Sequence, residues 1–438
     1  MTGSNKKRLC VRVIALALAL IIFSILLCSC ANRVESPVLE YDKQALSLST
    51  YEFMLSRMKG TLARNKYDVE PLSEFWNEKH PGSGLTNEEY YNQAILDNCK
   101  NYLAALILFD EDKLTLSSSD LAAIEEEIEF YIDYDCKGDE SKLDAILSKY
   151  GTDTDGLRKI YEIEAKYQKV IASLYGANGS QIADSVKEEY YQANYYRFKQ
   201  ILVSNFYYEY QKDGKGDTIY FDRENGKPIY DTKGEYHYDD KGNRVTDKFG
   251  VAIRYDENGN ILYDTEKGYP APTTDDKGNA IQHKYSEEEM RARVEKMQDI
   301  LDAAEGGNAS AFEAKMPEWQ LYEGAEEYYK DGYYLSDVDS SGYDDNMHNI
   351  LAALKEMKVG ETRVIESDAG YHVVMKYELD KGKYADSDYA EWFASFTQSL
   401  ITKLFLDRCK AFYSSIEINE KNLKKAKSIK SLGTNYDY

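Results

Sequence analysis

Apolar positions along the chain of 438 residues change period several times, and each change marks a different kind of element. Val13–Leu27 is one apolar run interrupted only by Ser24. From about residue 34 to 190 apolar side chains recur at helical spacing. Ser47–Thr50 leads into Tyr51, Phe53, Met54 and Met58. Thr86 and Glu89 have the spacing of a capping box, in front of Ile95, Leu96, Cys99, Leu103, Leu106 and Ile107. Ser119 is expected to open a helix with Leu121, Ile124, Ile128 and Tyr131, followed by one with Leu157, Ile160, Ile163, Tyr167 and Ile171. Tyr175–Gly179 breaks that pattern, and Ser185–Tyr195 starts another helix.

Between Tyr195 and Val203 the alternation has period two, as in a strand. From Asn205 to about Tyr285 the chain turns to Gly, Asp, Asn, Lys and Tyr, with echoes beginning at Asp222, Asp239, Asp256 and Asp275. Gly and Asn tolerate positive φ, so these predict a meander of small hairpins braced by cross-strand Tyr pairs. Calcium binding is the alternative for such turns, although no segment has an EF-hand ligand series ending in Glu. Beyond Tyr285 the expected order is a helix capped by Ser286, a short helix over Ser310–Met316, a turn and short strand over Asp331–Leu335, and a helix over Met347–Met357. Extended segments over Glu361–Glu366 and Gly370–Glu378 follow. A long helix is predicted from Asp386 to Ile416, and the basic tail after it reads as a solvated face or a contact for anionic lipid or polymer.

Composition narrows the functions. Acidic residues outnumber basic ones 77 to 54, a field that repels nucleic acid. Six Cys and five His, scattered, give no metal-ligand spacing, and nothing implies a cofactor. Tyr dominates the aromatics, 40 against 14 Phe and 3 Trp.

The apolar run follows Lys6, Lys7, Arg8 and Arg12 and is too short to span a bilayer, so residues 1–29 read as a secretory signal. Leu27-Cys28-Ser29-Cys30 resembles a bacterial lipobox, which implies cleavage before Cys30 and a lipid on its thiol, with an uncleaved anchor as the alternative. Loss of those four cations takes the formal charge from −23 to −27. The expected place is the extracytoplasmic face of a bacterial membrane. Cys99, Cys136 and Cys409 then remain, widely spaced; Cys99 and Cys409 fit core thiols, with one disulfide left open.

With the insert removed, the middle of the chain reads strand, three helices, two strands. Phe198-Lys-Gln-Ile-Leu-Val203, Lys355-Glu-Met-Lys-Val-Gly-Glu361 and Ser367-Asp-Ala-Gly-Tyr-His-Val-Val-Met-Lys376 resemble the first strand, the end of the third helix and the terminal strand of parvulin-type peptidyl-prolyl isomerases. Together with the lipobox and the flanking helices, the chain resembles the PrsA and SurA type of secretion foldase. The resemblance implies an α+β fold. Its expected parts are a helical chaperone module (30–194), a parvulin-like domain (195–204 and 285–378) interrupted by a β-hairpin insert (205–284), a C-terminal helix packing on the helical module (379–420) and a basic tail (421–438). It implies a site at His372, with Gln200 where the family has its first His and Glu318 as the candidate acid. Ile350, Asn346 and Leu335 stand at the proline pocket, Ile350 in place of the usual Phe and Asn346 in place of Met; the family's Gly-Gly is reduced to Asp331-Gly332. Gln cannot titrate, so the implied function is a foldase for unfolded or proline-containing secreted polypeptides with weak or absent isomerase activity. An active isomerase and a solute-binding lipoprotein are the alternatives, the last disfavoured by the all-helical pattern of the first module.

Overall fold

The computed structural model describes residues 36–319, 331–338 and 340–438. The signal segment and Cys30 lie outside them. The chain forms two compact units, Met1–Ile182 with Leu400–Tyr438, and Ala183–Ser399. Helix and small antiparallel sheets are mixed throughout. No helix of the described residues is long and apolar enough to cross a membrane.

The first unit opens with a hairpin of β1 (Pro37–Tyr41) and β2 (Gln44–Ser47), where a helical pattern was expected from residue 34. A strand from the far end of the chain, β13 (Glu417–Ile418), adds to the other edge of β1 and sets Ile418 opposite Leu39. Five helices follow: α1 (Leu48–Arg64), α2 (Asn87–Glu111), α3 (Ser118–Cys136), α4 (Glu140–Leu147) and α5 (Thr154–Tyr175). The Ser47 hydroxyl accepts from the Thr50 amide at 3.1 Å and caps α1. The capping box of Thr86 and Glu89 opens α2. Helix α3 begins at Ser117 instead of Ser119, because Asp120 lies three residues on and returns the second capping bond. Leu103, Cys99 and Leu55 are fully buried in the main core. Cys99, Cys136 and Cys409 are separate buried thiols; burial pushes Cys99 and Cys409 up to about 12.

The basic tail is not a solvated face. Ile429 and Leu432 are core residues. The buried ammonium of Lys59 on α1 donates to the carbonyls of Lys430 (2.9 Å) and Leu432 (2.7 Å). The Asn435 amide donates to the Ser56 carbonyl at 3.2 Å. Lys421, Lys424 and Lys425 are exposed, whereas Lys430 pairs with Glu88 of α2 at 2.8 Å and the tail's backbone and apolar residues pack on α1, a division that charge counting does not reveal.

The second unit is built on α6 (Asp184–Asn194) and a four-stranded sheet. Its strands are β3 (Tyr195–Ser204), β10 (Tyr333–Ser336), β11 (Thr362–Ser367) and β12 (Gly370–Tyr377), in the order β10-β3-β12-β11. Strand alternation sends side chains to two layers. Phe198 and Val374 pack beneath α9 (Asp345–Glu356) with Leu335, Ile350 and Leu354. Ile201, Val203, Val373 and Met375 pack on the other face with α7 (Glu287–Ala303) and α8 (Ala309–Glu313).

The long helix expected from Asp386 is shorter, α10 (Phe396–Lys410). Residues 383–395 form turns, among them Trp392 N–H to Tyr389 O at 2.9 Å and Phe396 N–H to Phe393 O at 3.0 Å. Aromatic packing accounts for this: Phe393 and Tyr384 lie against Tyr191, which is fully buried.

The insert is nested, not a simple meander. Its arms pair as β4 (Phe206–Tyr208) with β9 (Gln282–Lys284), β5 (Tyr220–Phe221) with β8 (Tyr269–Pro270), and β6 (Glu235–Tyr236) with β7 (Arg254–Tyr255). Each arm consists of tight turns of one design. An Asp carbonyl accepts from a Gly amide three or four residues on, and its carboxylate accepts from backbone amides inside the turn. The design occurs at the four echoes and also at Asp213, Asp231, Asp247 and Asp264. Gly242 and Gly259 take positive φ at these turns, which glycine does without strain. Tyr230 and Tyr263 stack across the arms at 5.4 Å.

Candidate functional site

In the register of the sheet Gln200 stands opposite Val374 and His372 opposite Leu202. Gln200 and His372 are therefore diagonal neighbours on the face covered by α9, within reach of long side chains. His372 Nδ1 lies 2.9 Å from Gln200 Oε1, and its Nε2 lies 2.9 Å from the Ser367 hydroxyl on β11. Because Oε1 only accepts, Nδ1 carries the proton and donates it; Nε2 then accepts from the Ser367 hydroxyl. The Ser367 oxygen in turn accepts from the Ala369 amide at 3.1 Å. The result is a polar row, Ser367–His372–Gln200, across three adjacent strands. His372 is buried, and burial lowers its pKa below 6.5 against the opposing pull of Asp344. The imidazole is neutral at neutral pH, and the Gln200 –NH2 group is not engaged by His372.

Glu318 does not join this row. It lies in the turn Met316–Trp319, whose Trp319 packs with Ile201 and Val203 on the opposite layer of the sheet, and its carboxylate pairs with Lys296 of α7 at 3.7 Å. The carboxylate whose charge bears on His372 is that of Asp344, a residue the sequence reading did not single out, and its pull is outweighed by burial. Asp344 caps α9, accepting from the Met347 amide at 2.8 Å. An Asp just ahead of a helical pattern was the available signal. Ser367 opens the segment that resembles the terminal strand, and nothing in that resemblance gives it a role. Ile350, on the inner face of α9, and Leu335, on β10 beneath it, are core residues, 4% and 2% exposed, while Asn346 is half-buried on the first turn of that helix.

The insert is rooted at the end of the row. The Asn205 amide donates to the Ala369 carbonyl at 2.9 Å, and the Asn205 side chain donates to the Asp368 carbonyl at 2.8 Å. A cleft of about 430 Å³ opens there, with Asn205, Ser367 and Tyr371 on one wall and Met290 and Arg291 of α7 on the other.

No protein-family model matches the chain, and no curated protein matches it. Solved structures do match, two of them as follows. One is the crystal structure of PrsA from Bacillus subtilis, at 15% identity over 80% of this chain and 91% of that one, with a TM-score of 0.18. The other is the foldase protein PrsA from Streptococcus pneumoniae str. Canada MDR_19A, at 12% identity over 79% and 96%, with a TM-score of 0.17. Neither score defines a shared arrangement of the whole chain, so the site is interpreted from its own residues.

Proposed function

We propose that the protein is an extracytoplasmic foldase, held at the membrane by lipid on Cys30, which handles unfolded or proline-containing secreted polypeptides and has weak or no isomerase activity. The observation that carries this reading is the row Ser367–His372–Gln200. A hydrogen-bonded polar row beneath a helix is costly to bury unless its members satisfy one another, and here they do. X–Pro isomerisation needs no nucleophile; it needs an environment that favours the twisted imide over the planar one. Gln200 supplies a fixed dipole at that place and no titratable group. Ile350 and Leu335, the residues expected at a proline pocket, are packed as core, which favours holding over turnover. The insert, rooted at Asn205 beside Ser367, is suited to shape access to this face.

The test is suppression of aggregation of a chemically denatured secreted protein by the full chain. The reading requires suppression at stoichiometric amounts; none at any ratio overturns it. An active isomerase is the second reading, favoured by the intact pairing of His372. It requires catalysis on a proline peptide that is lost in His372→Ala.

A further inference from the structure

A groove of about 760 Å³ runs between α3 and α5 in the first unit. Small residues, Ala123, Ala165 and Ala172, line it and allow a backbone to approach closely. Ion pairs of Arg57 with Glu164 and of Lys169 with Asp120 flank it. Neither the polar row nor the insert uses this groove. One end of it is occupied by Asp437 and Tyr438 of the chain itself.

The manner of that occupation is informative. Two successive carbonyls of the tail are each met by a side-chain donor from the helices. Arg64 donates to the Tyr436 carbonyl and Tyr131 to that of Asp437 at 3.2 Å, and beyond them Arg57 Nε donates to an oxygen of Tyr438 at 2.7 Å. The two carbonyl contacts read backbone, not sequence. One side chain is also read: the Tyr438 ring lies 4.7 Å from that of Tyr131, and its hydroxyl donates to Asp135 at 2.8 Å. Helix α3 carries seven acidic residues and no Lys or Arg; Asp120 and Glu125 pair with Lys169 and Arg158 of α5, and the remaining acids leave a negative field that favours cationic flanks on a segment lying along the helix.

We infer that the groove between α3 and α5 seats an extended polypeptide segment, an aromatic residue with basic flanks, and that residues 436–438 are a removable strap holding one end of it. This gives the foldase reading a client chemistry and rests on that reading for the occupant being a client. The strap competes with the segment, so the apparent affinity is reduced by the fraction of chains in which the strap is seated.

The test uses fluorescence anisotropy of a labelled, unstructured peptide, a central Tyr between lysines, with the full chain. Deleting residues 436–438 leaves the anchors at Lys59 and Asn435 in place and is expected to tighten binding on the order of tenfold. Tyr438→Ala, which loosens the strap without shortening the chain, is expected to shift affinity the same way. Ala123→Trp, an exposed position in the groove wall, is expected to abolish binding, and Glu in place of the flanking lysines to weaken it. Affinity that is unmoved by both the deletion and Ala123→Trp overturns the proposal. Aggregation suppression, measured on the same variants, separates the two claims. If it persists undiminished in Ala123→Trp, the groove proposal falls and the foldase reading stands. If the unaltered chain never suppresses aggregation, the foldase reading falls, and the peptide measurement still decides whether the groove binds.

Discussion

His372 and Gln200 are 172 positions apart in the chain, yet the imidazole Nδ1 and the carboxamide Oε1 meet at 2.9 Å. The bond needs only the antiparallel register of β3 and β12. Replacing Gln200 by Leu strands a buried N–H, which is expected to cost about 1–3 kcal/mol in urea unfolding. Gln200→His restores a partner and is expected to recover most of that loss.

The titration of His372 follows from the same burial. Its folded pKa lies below the ordinary 6.5, because burial disfavours the imidazolium. A histidine depressed in the folded state contributes stability that is fully present above 6.5 and is lost as pH falls through the lowered folded value. An NMR titration of the imidazole is expected to give a midpoint below 6.5, and a midpoint above it contradicts the neutral row.

The tail of the first unit up to Asn435 is expected to behave as part of the core. Lys59→Met leaves the Lys430 and Leu432 carbonyls without their charged donor, at a cost of about 2–3 kcal/mol. Gly60→Ala tests the same contact by shape. In a helix interior Ala normally gains about 0.5–1 kcal/mol over Gly. Here its Cβ would stand 1.7 Å from the Asn435 carbonyl oxygen, so the sign reverses and the tail must lift. Limited proteolysis is expected to cut within residues 421–430 in both variants and to spare the unaltered chain.

The turns of the insert are expected to open in acid. Asp239 and Asp256 are held below the ordinary 3.8 by backbone amides of Asn243 and Asn260, and Asp275 by the side chain of Asn279. Carboxylates depressed in the folded state give stability that is present above the ordinary value and lost as pH falls through the lowered one. Hydrogen exchange of the Asn243, Asn260 and Asn279 amides is expected to accelerate below pH 3.8, beyond the change seen in β12. Asp256→Ala frees the Asn258 and Asn260 amides and is expected to accelerate their exchange already at neutral pH.

What was legible in the sequence was local. Thr86 with Glu89 and Ser286 with Glu289 are capping boxes within one turn of chain, and both occur. The strand over Tyr195–Val203 and the helix over Met347–Met357 follow from period alone and lie within a residue or two of β3 and α9. What was not legible depended on contacts across the chain. The pairing of Leu39 with Ile418 and the burial of Leu432 on Lys59 have no local signature. The segments that resemble the first and terminal strands are adjacent in the sheet, which brings His372 and Gln200 into contact. Glu318 lies on the other layer, because the layer on which a turn lands is set by the packing of α7 and α8 and not by proximity along the chain. The other four Asp turns carry no Asn beside the Gly, the feature that makes the four echoes conspicuous. The spacing of Asp to Gly was the more general signal.

The central claim is that the protein holds unfolded secreted chains and does little to speed proline isomerisation. The most direct measurement is refolding of a denatured secreted protein whose slow phase is limited by a proline isomerisation, followed for both yield and rate with the full chain present. The expected result is a raised yield with a slow-phase rate near that of the client alone. An unchanged yield, or a slow phase accelerated by the unaltered chain and restored to its basal rate by His372→Ala, would contradict it.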